Sequence, residues 1–297
     1  MAIPESDLEI MARIGAQVTS SDTYATIKRA LEADDTGYHD RRYKVFLQGS
    51  YGNDTNIIAE SDVDVVIRLD AIFTYDLDNL TLDEKQAFQS LHPAATYNHV
   101  HFRNDVLAAL KNRFGDQAKP GTKAVMIEPF HNRRKADVLI ATQHRKYSRY
   151  GVGNDQYVEG ISFHKSDGTR VVNYPEKHRD NLRVKNQATN EVFKRVVRIF
   201  KNVRSVMVAE GTIEAGGAPS YYVEGLLYNV PDHLFVGTYE DVMVNCINWL
   251  NSADRDRSSF ACANMQYWLL RGNPDVTWNY ADCDAFLKGL IHTWNNW

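Results

Sequence analysis

The chain has 297 residues, 43% of them hydrophobic, 11% aromatic and 24% charged, which is ordinary globular usage and excludes a disordered chain. A formal net charge of −4 and a pI near 6.2 argue against a protein whose main task is gripping long duplex nucleic acid, because such proteins carry a basic excess. The opening MAIPESDLEIMARIG lacks a basic segment followed by an apolar run, and no apolar stretch is long enough to span a bilayer, so the expectation is a cytoplasmic protein that avoids membranes.

In chain order, Leu8, Met11 and Ile14 give a first helical pattern, followed by a second from Ser21 to Leu31. Tyr43 to Leu47 reads as a short strand ending at Gly49-Ser50, and Asp62 to Leu69, rich in Val and Ile, as another. Residues 80 to 114 read as helix broken at Pro93, followed by strands at Lys123–Pro129 and Lys135–Ala141. Val158–Phe163 and Thr169–Tyr174 resemble a hairpin around Ser166-Asp167-Gly168. Helical periodicity then dominates: Val192–Val208, Tyr221–Tyr228, Val242–Leu250 and Phe286–Trp294. The class is therefore α/β (α+β), with a boundary near residues 176 to 187. Cys246, Cys262 and Cys283 form no CxxC pair, which suits a reducing compartment and suggests neither a disulfide framework nor zinc. The basic clusters Arg133-Arg134-Lys135 and His144-Arg145-Lys146 read as solvated edges.

The informative stretch is Gln48-Gly49-Ser50, followed by Asp62-Val63-Asp64. Side chains alternate in a strand, so Asp62 and Asp64 emerge on one side. Two like charges there repel, and a hard divalent ion between them resolves the conflict. Asp137 lies in a second apolar strand, and beside the first pair it would complete a two-metal site. Gly49 lets the backbone approach a phosphate closely, and the Ser50 hydroxyl with successive N–H groups suits a triphosphate. Taken singly, Gly-Ser is a turn, Asp-x-Asp a solvated edge, and Asp137 an acid paired with Arg133, Arg134 or Lys135. Their conjunction points to function.

These residues carry a resemblance. The Gly-Ser turn followed by Asp-x-Asp in a strand is similar to the signature of the polymerase β-type nucleotidyltransferases. The segments Phe46 to Ile57 and Glu60 to Ile67 resemble the CD-NTases, bacterial relatives of cGAS that make cyclic oligonucleotide signals in anti-phage defence (CBASS). Tyr157-Val-Glu-Gly, Val171-Val-Asn-Tyr-Pro, Lys185-Asn-Gln-Ala-Thr-Asn-Glu, Ala218-Pro-Ser-Tyr and Leu227-Tyr-Asn-Val-Pro-Asp resemble its clade E, the CdnE-like cyclic dinucleotide synthases. The zinc-binding insertion of animal cGAS has no counterpart, so stable duplex binding is not expected.

The resemblance implies a nucleotidyltransferase core with a mixed, twisted sheet over residues 1–180, including a bracing N-terminal helix. A helical domain at 181–297 would form the other wall of the nucleotide cleft. It implies that Asp62, Asp64 and Asp137 hold two Mg²⁺ ions, with Mn²⁺ as a substitute, and that Gln48, Gly49 and Ser50 touch the donor nucleotide. Lys201 and Ser220 match a lysine and a serine that reach phosphate. Read alone, Lys201 is an exposed lysine on an amphipathic helix and Ser220 a helix N-cap after Pro219. Tyr221 would stack on a base or pack in the core. Asn173 would read the uracil edge or end a strand before a turn. The implied reaction joins two nucleoside triphosphates, UTP and ATP, with release of pyrophosphate, and the product would activate an effector protein. The alternatives are linear oligonucleotides, nucleotidylation of a protein or small molecule, or a catalytically silent nucleotide-binding scaffold.

Overall fold

The structure, a computed structural model, describes residues 2–15, 18–59, 62–151 and 153–297. Its first elements are α1 (Glu5–Met11), α2 (Val18–Leu31), β1 (Tyr43–Leu47), α3 (Gly49–Gly52), β2 (Val63–Asp76), α4 (Leu82–Leu91) and α5 (His99–Phe114). Then come β3 (Ala118–Pro120), β4 (Val125–Ile127), β5 (Ala136–Arg149), β6 (Gln156–His164) and β7 (Arg170–Asn173). The chain ends in α6 (Pro175–Ala188), α7 (Phe193–Ala209), α8 (Ser220–Tyr228), α9 (Tyr239–Asn251) and α10 (Tyr280–Asn296).

Two compact units divide the chain: Val18–Gln48 with Asp62–Pro175, and Met1–Gln17 with Gly49–Ser61 and Glu176–Trp297. A single cut after residue 180 therefore does not describe the division. The first helix and the Gly-Ser segment, which the sequence reading placed in the sheet domain, cluster with the C-terminal helices. Local periodicity carries no information about such distant association.

The first unit is built on a seven-stranded sheet in the order β1-β2-β5-β4-β3, with β6 on β5 and β7 outside β6. The central pair, β2 and β5, is parallel, and the other pairs are antiparallel. Val63, Val65, Ile67 and Leu69 on one side of β2 and Val66 and Arg68 on the other are wholly buried, as expected of a strand covered on both faces. Helix α5 covers one face, where His99 stacks on His164 with ring centroids 4.0 Å apart and Phe102 lies by Ile140 and Thr142. Asp64 and Asp137 belong to the opposite face, because side chains alternate. Both central strands run on past Leu69 and Ala141, to Asp76 and Arg149, through a register shift between Leu69 and Phe73.

That extension turns His144, read as part of a solvated edge, into a buried residue at 2% exposure. Its Nδ1 lies 2.9 Å from Thr74 Oγ1. Burial, then the charge of Arg170, depress its pKa from 6.5 to about 4. A depressed histidine makes the fold most stable above the unfolded value. Stability is then lost as pH falls from 6.5 toward about 4, by up to roughly 3 kcal/mol. Denaturant unfolding at a series of pH values should show this loss. His144→Gln, which keeps a polar partner for Thr74 and cannot protonate, should flatten the slope.

The second unit packs on α7, whose Phe193, Val196, Val197, Phe200, Val203 and Met207 are wholly buried at helical spacing. They join Leu8 of α1, Leu226 of α8, Val242 of α9 and Leu290 of α10 in one core. Helix α6 was not foreseen. It buries His178, Leu182, Lys185 and Asn186, a face with the right spacing and only one aliphatic side chain. Cys246, Cys262 and Cys283 are buried free thiols. No helix among the described residues is long and apolar enough to cross a membrane.

Candidate active site

Parallel pairing sets Asp64 directly beside Asp137, and strand spacing places their Cβ atoms about 5 Å apart on one face. Asp62 stands one residue before β2, where the Val63 amide donates to the Lys135 carbonyl at 3.0 Å. The Gln48 amide donates to the Asp64 carbonyl at 3.0 Å. Chain continuity therefore carries Gly49 to this end of the sheet. Gly49 has φ +63°, a conformation that glycine adopts without steric cost, and α3 starts on it.

The three acids do not form a closed ligand set. Among the described residues no three acidic, histidine or cysteine side chains gather closely enough to hold one metal ion. Lys135 lies among them: its ammonium binds Asp62 Oδ2 and lies 3.6 Å from Asp137 Oδ2. The Asp62 bond raises the Lys135 pKa, desolvation opposes it, and the Asp137 charge adds to the rise. The place thus attracts positive charge and offers only oxygen ligands, so its residues fit a hard divalent ion.

The acidic face continues into a polar network that the sequence reading missed. Arg68 is wholly buried. Its Nε donates to Asp70 Oδ1 at 2.6 Å and its Nη2 lies 2.8 Å from Glu159 Oε1. Gln143 donates to Glu159 Oε2 at 2.6 Å, and Arg145 to Gln143 Oε1 at 2.9 Å. Gln143 pairs with Ile161, and Ile161 with Asn173, so Asn173 shares this face. The Asn173 Oδ1 accepts from the Tyr174 amide at 2.8 Å, which is the strand-end turn and holds the amide in one orientation.

In the second unit Lys201 is not the exposed lysine of an amphipathic helix. Its ammonium is wholly buried and donates to the Thr55 carbonyl at 2.8 Å. The cation beside Ser220 is Arg204, whose Nη1 donates to Ser220 Oγ at 3.2 Å. Ser220 is the first residue of α8, and the N-cap position falls to Pro219. One face of Tyr221 stacks on His178 at 4.6 Å, and its hydroxyl accepts from Asn264 Nδ2 at 2.8 Å. Under these residues Glu224 is buried. Burial alone would raise its carboxyl, but the bond and charge of His178, the charge of Lys201 and the Thr55 hydroxyl hold it below the ordinary value.

Acids paired in register at the parallel centre of a mixed sheet mark a nucleotidyltransferase core, and known proteins narrow the class. Residues 180–295 match the family model of the cGAS/DncV-like nucleotidyltransferase C-terminal helical domain. The cyclic UMP-AMP synthase of Rhodothermus marinus is 38% identical, over 100% of this chain and 99% of its own. The solved structure of the Rhodothermus marinus CdnE c-UMP-AMP synthase with Apcpp and Upnpp gives a TM-score of 0.88 at 38% identity, covering 99% of this chain and 97% of that one. The cyclic dipurine nucleotide synthase of Elizabethkingia meningoseptica is 30% identical, over 80% of this chain and 85% of its own. The chain belongs to the CdnE-type cyclic nucleotide synthases among the cGAS/DncV-like nucleotidyltransferases.

Proposed function

We propose that this chain joins two nucleoside triphosphates into a cyclic dinucleotide containing uridine, such as cyclic UMP-AMP or cyclic di-UMP. The observation that carries the chemistry is the register pair Asp64–Asp137, with Asp62 and a bridging ammonium at the same edge. A ribose hydroxyl of one nucleotide attacks the α-phosphorus of the other, the bond to the β-phosphate breaks, and pyrophosphate leaves. A second displacement within the linear intermediate closes the ring. Asp137 accepts the hydroxyl proton. Mg²⁺ ions held by Asp62, Asp64 and Asp137 would supply charge neutralisation and acidify the hydroxyl. Gln48, Gly49 and Ser50 hold the donor. Ser220 contributes to phosphate binding with Arg204, in place of Lys201, as its neighbouring cation.

Support for uridine comes from two sides. The relative that makes cyclic UMP-AMP shares 38% identity over the full length, and Asn173 offers both a donor and an acceptor to a base edge. Since another relative is a cyclic dipurine synthase, the family alone does not fix the base. The product would act as a second messenger in anti-phage defence, in the cytoplasm, through an effector protein that binds it.

The test is incubation of the purified protein with α-labelled ATP, GTP, CTP and UTP, followed by phosphatase and thin-layer chromatography. A phosphatase-resistant spot labelled by UTP is expected. Asn173→Ser should lower UTP incorporation about tenfold or more relative to ATP, because a base held by matched hydrogen bonds loses them. A purely purine product refutes the uridine assignment. Products that phosphatase degrades refute cyclisation and favour linear oligonucleotides.

A further inference from the structure

The Gly49–Ser50 turn is tied to a buried carboxylate that the chemistry above does not use. Glu224 Oε2 accepts from Asn53 Nδ2 at 3.0 Å and lies 2.7 Å from His178 Nε2, while Oε1 accepts from the Thr55 hydroxyl. Asn53 and Thr55 in turn donate their amides to the carbonyls of Gly49, at 3.1 Å, and Ser50, at 2.9 Å. Between them Asp54 has φ +56°, a left-handed conformation uncommon outside glycine and open to Asp at modest cost. The segment is held from α7: Lys201 donates to the Thr55 carbonyl at 2.8 Å and Arg198 to the Asp54 carbonyl at 2.7 Å.

Burying a carboxylate with an ammonium costs desolvation on both sides, and well-packed apolar residues often match or exceed the stability of such a pair. What apolar residues cannot do is fix two side-chain donors of a polar segment at defined positions. We infer that Glu224 is a positioning residue for the nucleotide site, holding Asn53 and Thr55 so that the Gly49–Ser50 turn keeps the shape that receives phosphate. Lys201 completes the same clamp from α7. This inference rests on the proposed role of that turn. It gives Lys201 a task consistent with its burial and makes the Gly-Ser motif depend on a helix far along the chain.

The test compares Ser50→Ala, Thr55→Val, Glu224→Gln and the double variant Ser50→Ala/Thr55→Val in the full-length protein by steady-state pyrophosphate release. Losing a hydrogen bond to a buried charge should raise KM for nucleotide about tenfold in Thr55→Val and Glu224→Gln, with kcat within about threefold. The double variant should raise KM by clearly less than the product of the two single effects, because Thr55 acts through the turn that carries Ser50. If Glu224→Gln does not fold, Thr55→Val and the double variant decide the matter. Should Ser50→Ala raise KM while Thr55→Val and Glu224→Gln leave it at the wild-type value, the clamp is refuted and the phosphate role of the turn stands. Should Ser50→Ala itself leave KM unchanged, the role of the turn fails and the clamp with it. Effects that multiply in the double variant, or a loss of kcat at constant KM, also overturn the inference.

Discussion

Asp64→Asn and Asp137→Asn should each lower pyrophosphate release by about a thousandfold or more, without unfolding the protein. Asn has nearly the same shape as Asp but no charge, so it keeps the strand geometry and loses the anionic oxygen that a divalent ion requires. The effect on stability should run the other way. In the wild type the two acids face each other in register across a parallel pair, and like charges so placed repel. Neutralising Asp64 relieves that repulsion, so the metal-free melting temperature of Asp64→Asn should hold or rise. Asp137→Asn also gives up the Lys135 contact at 3.6 Å, so its gain should be offset by up to about 1 kcal/mol. The measurement is coupled pyrophosphate release beside thermal unfolding in chelator. Activity within about tenfold of wild type would remove these acids from the chemistry. A matching collapse in stability would reduce them to structural residues.

The acidic edge is legible because its signals are local. A Val-rich run announces β2, an acid inside it conflicts with that burial, and Gly49-Ser50 at the end of β1 is turn chemistry wherever it occurs. The same holds for α7, whose apolar residues keep helical spacing over its length. Elsewhere the decisive partner lies far off in sequence. Read without the resemblance, Lys201 looks like a surface lysine because nothing near it in the chain reveals that its ammonium meets the carbonyl of Thr55. Glu224, at helical spacing within an apolar helix, is explicable only once Asn53, Thr55 and His178 are brought to it. Helix α6 hid for a related reason: its buried face carries His178, Lys185 and Asn186, and a hydrophobic-periodicity reading discounts polar residues whose partners it cannot see. The second half of β5 failed the same way, since His144, Arg145 and Lys146 look solvated until β6 lies beside them.

Arg68→Met should lower the stability of the sheet unit by about 3–5 kcal/mol, or roughly 10 °C in melting temperature. Arg68 has no exposed side-chain surface and supplies positive charge to two acids, Asp70 at 2.6 Å and Glu159 at 2.8 Å. Methionine fills much of the same volume, so the cost is not a cavity. It is the charge left behind on Asp70, which is nearly as buried as its partner, and the lost support for the Glu159–Gln143–Arg145 chain. Arg68→Lys should fall between, because an ammonium keeps the charge but cannot reproduce the planar fork that serves both acids. Lys44 provides the control. It also reaches Glu159, at 3.8 Å, but its side chain is 52% exposed, and Lys44→Met should cost no more than about 1 kcal/mol. Chemical denaturation of the three variants decides between a buried network that organises the acidic face and a set of independent surface pairs. Equal effects of Arg68→Met and Lys44→Met would favour the latter.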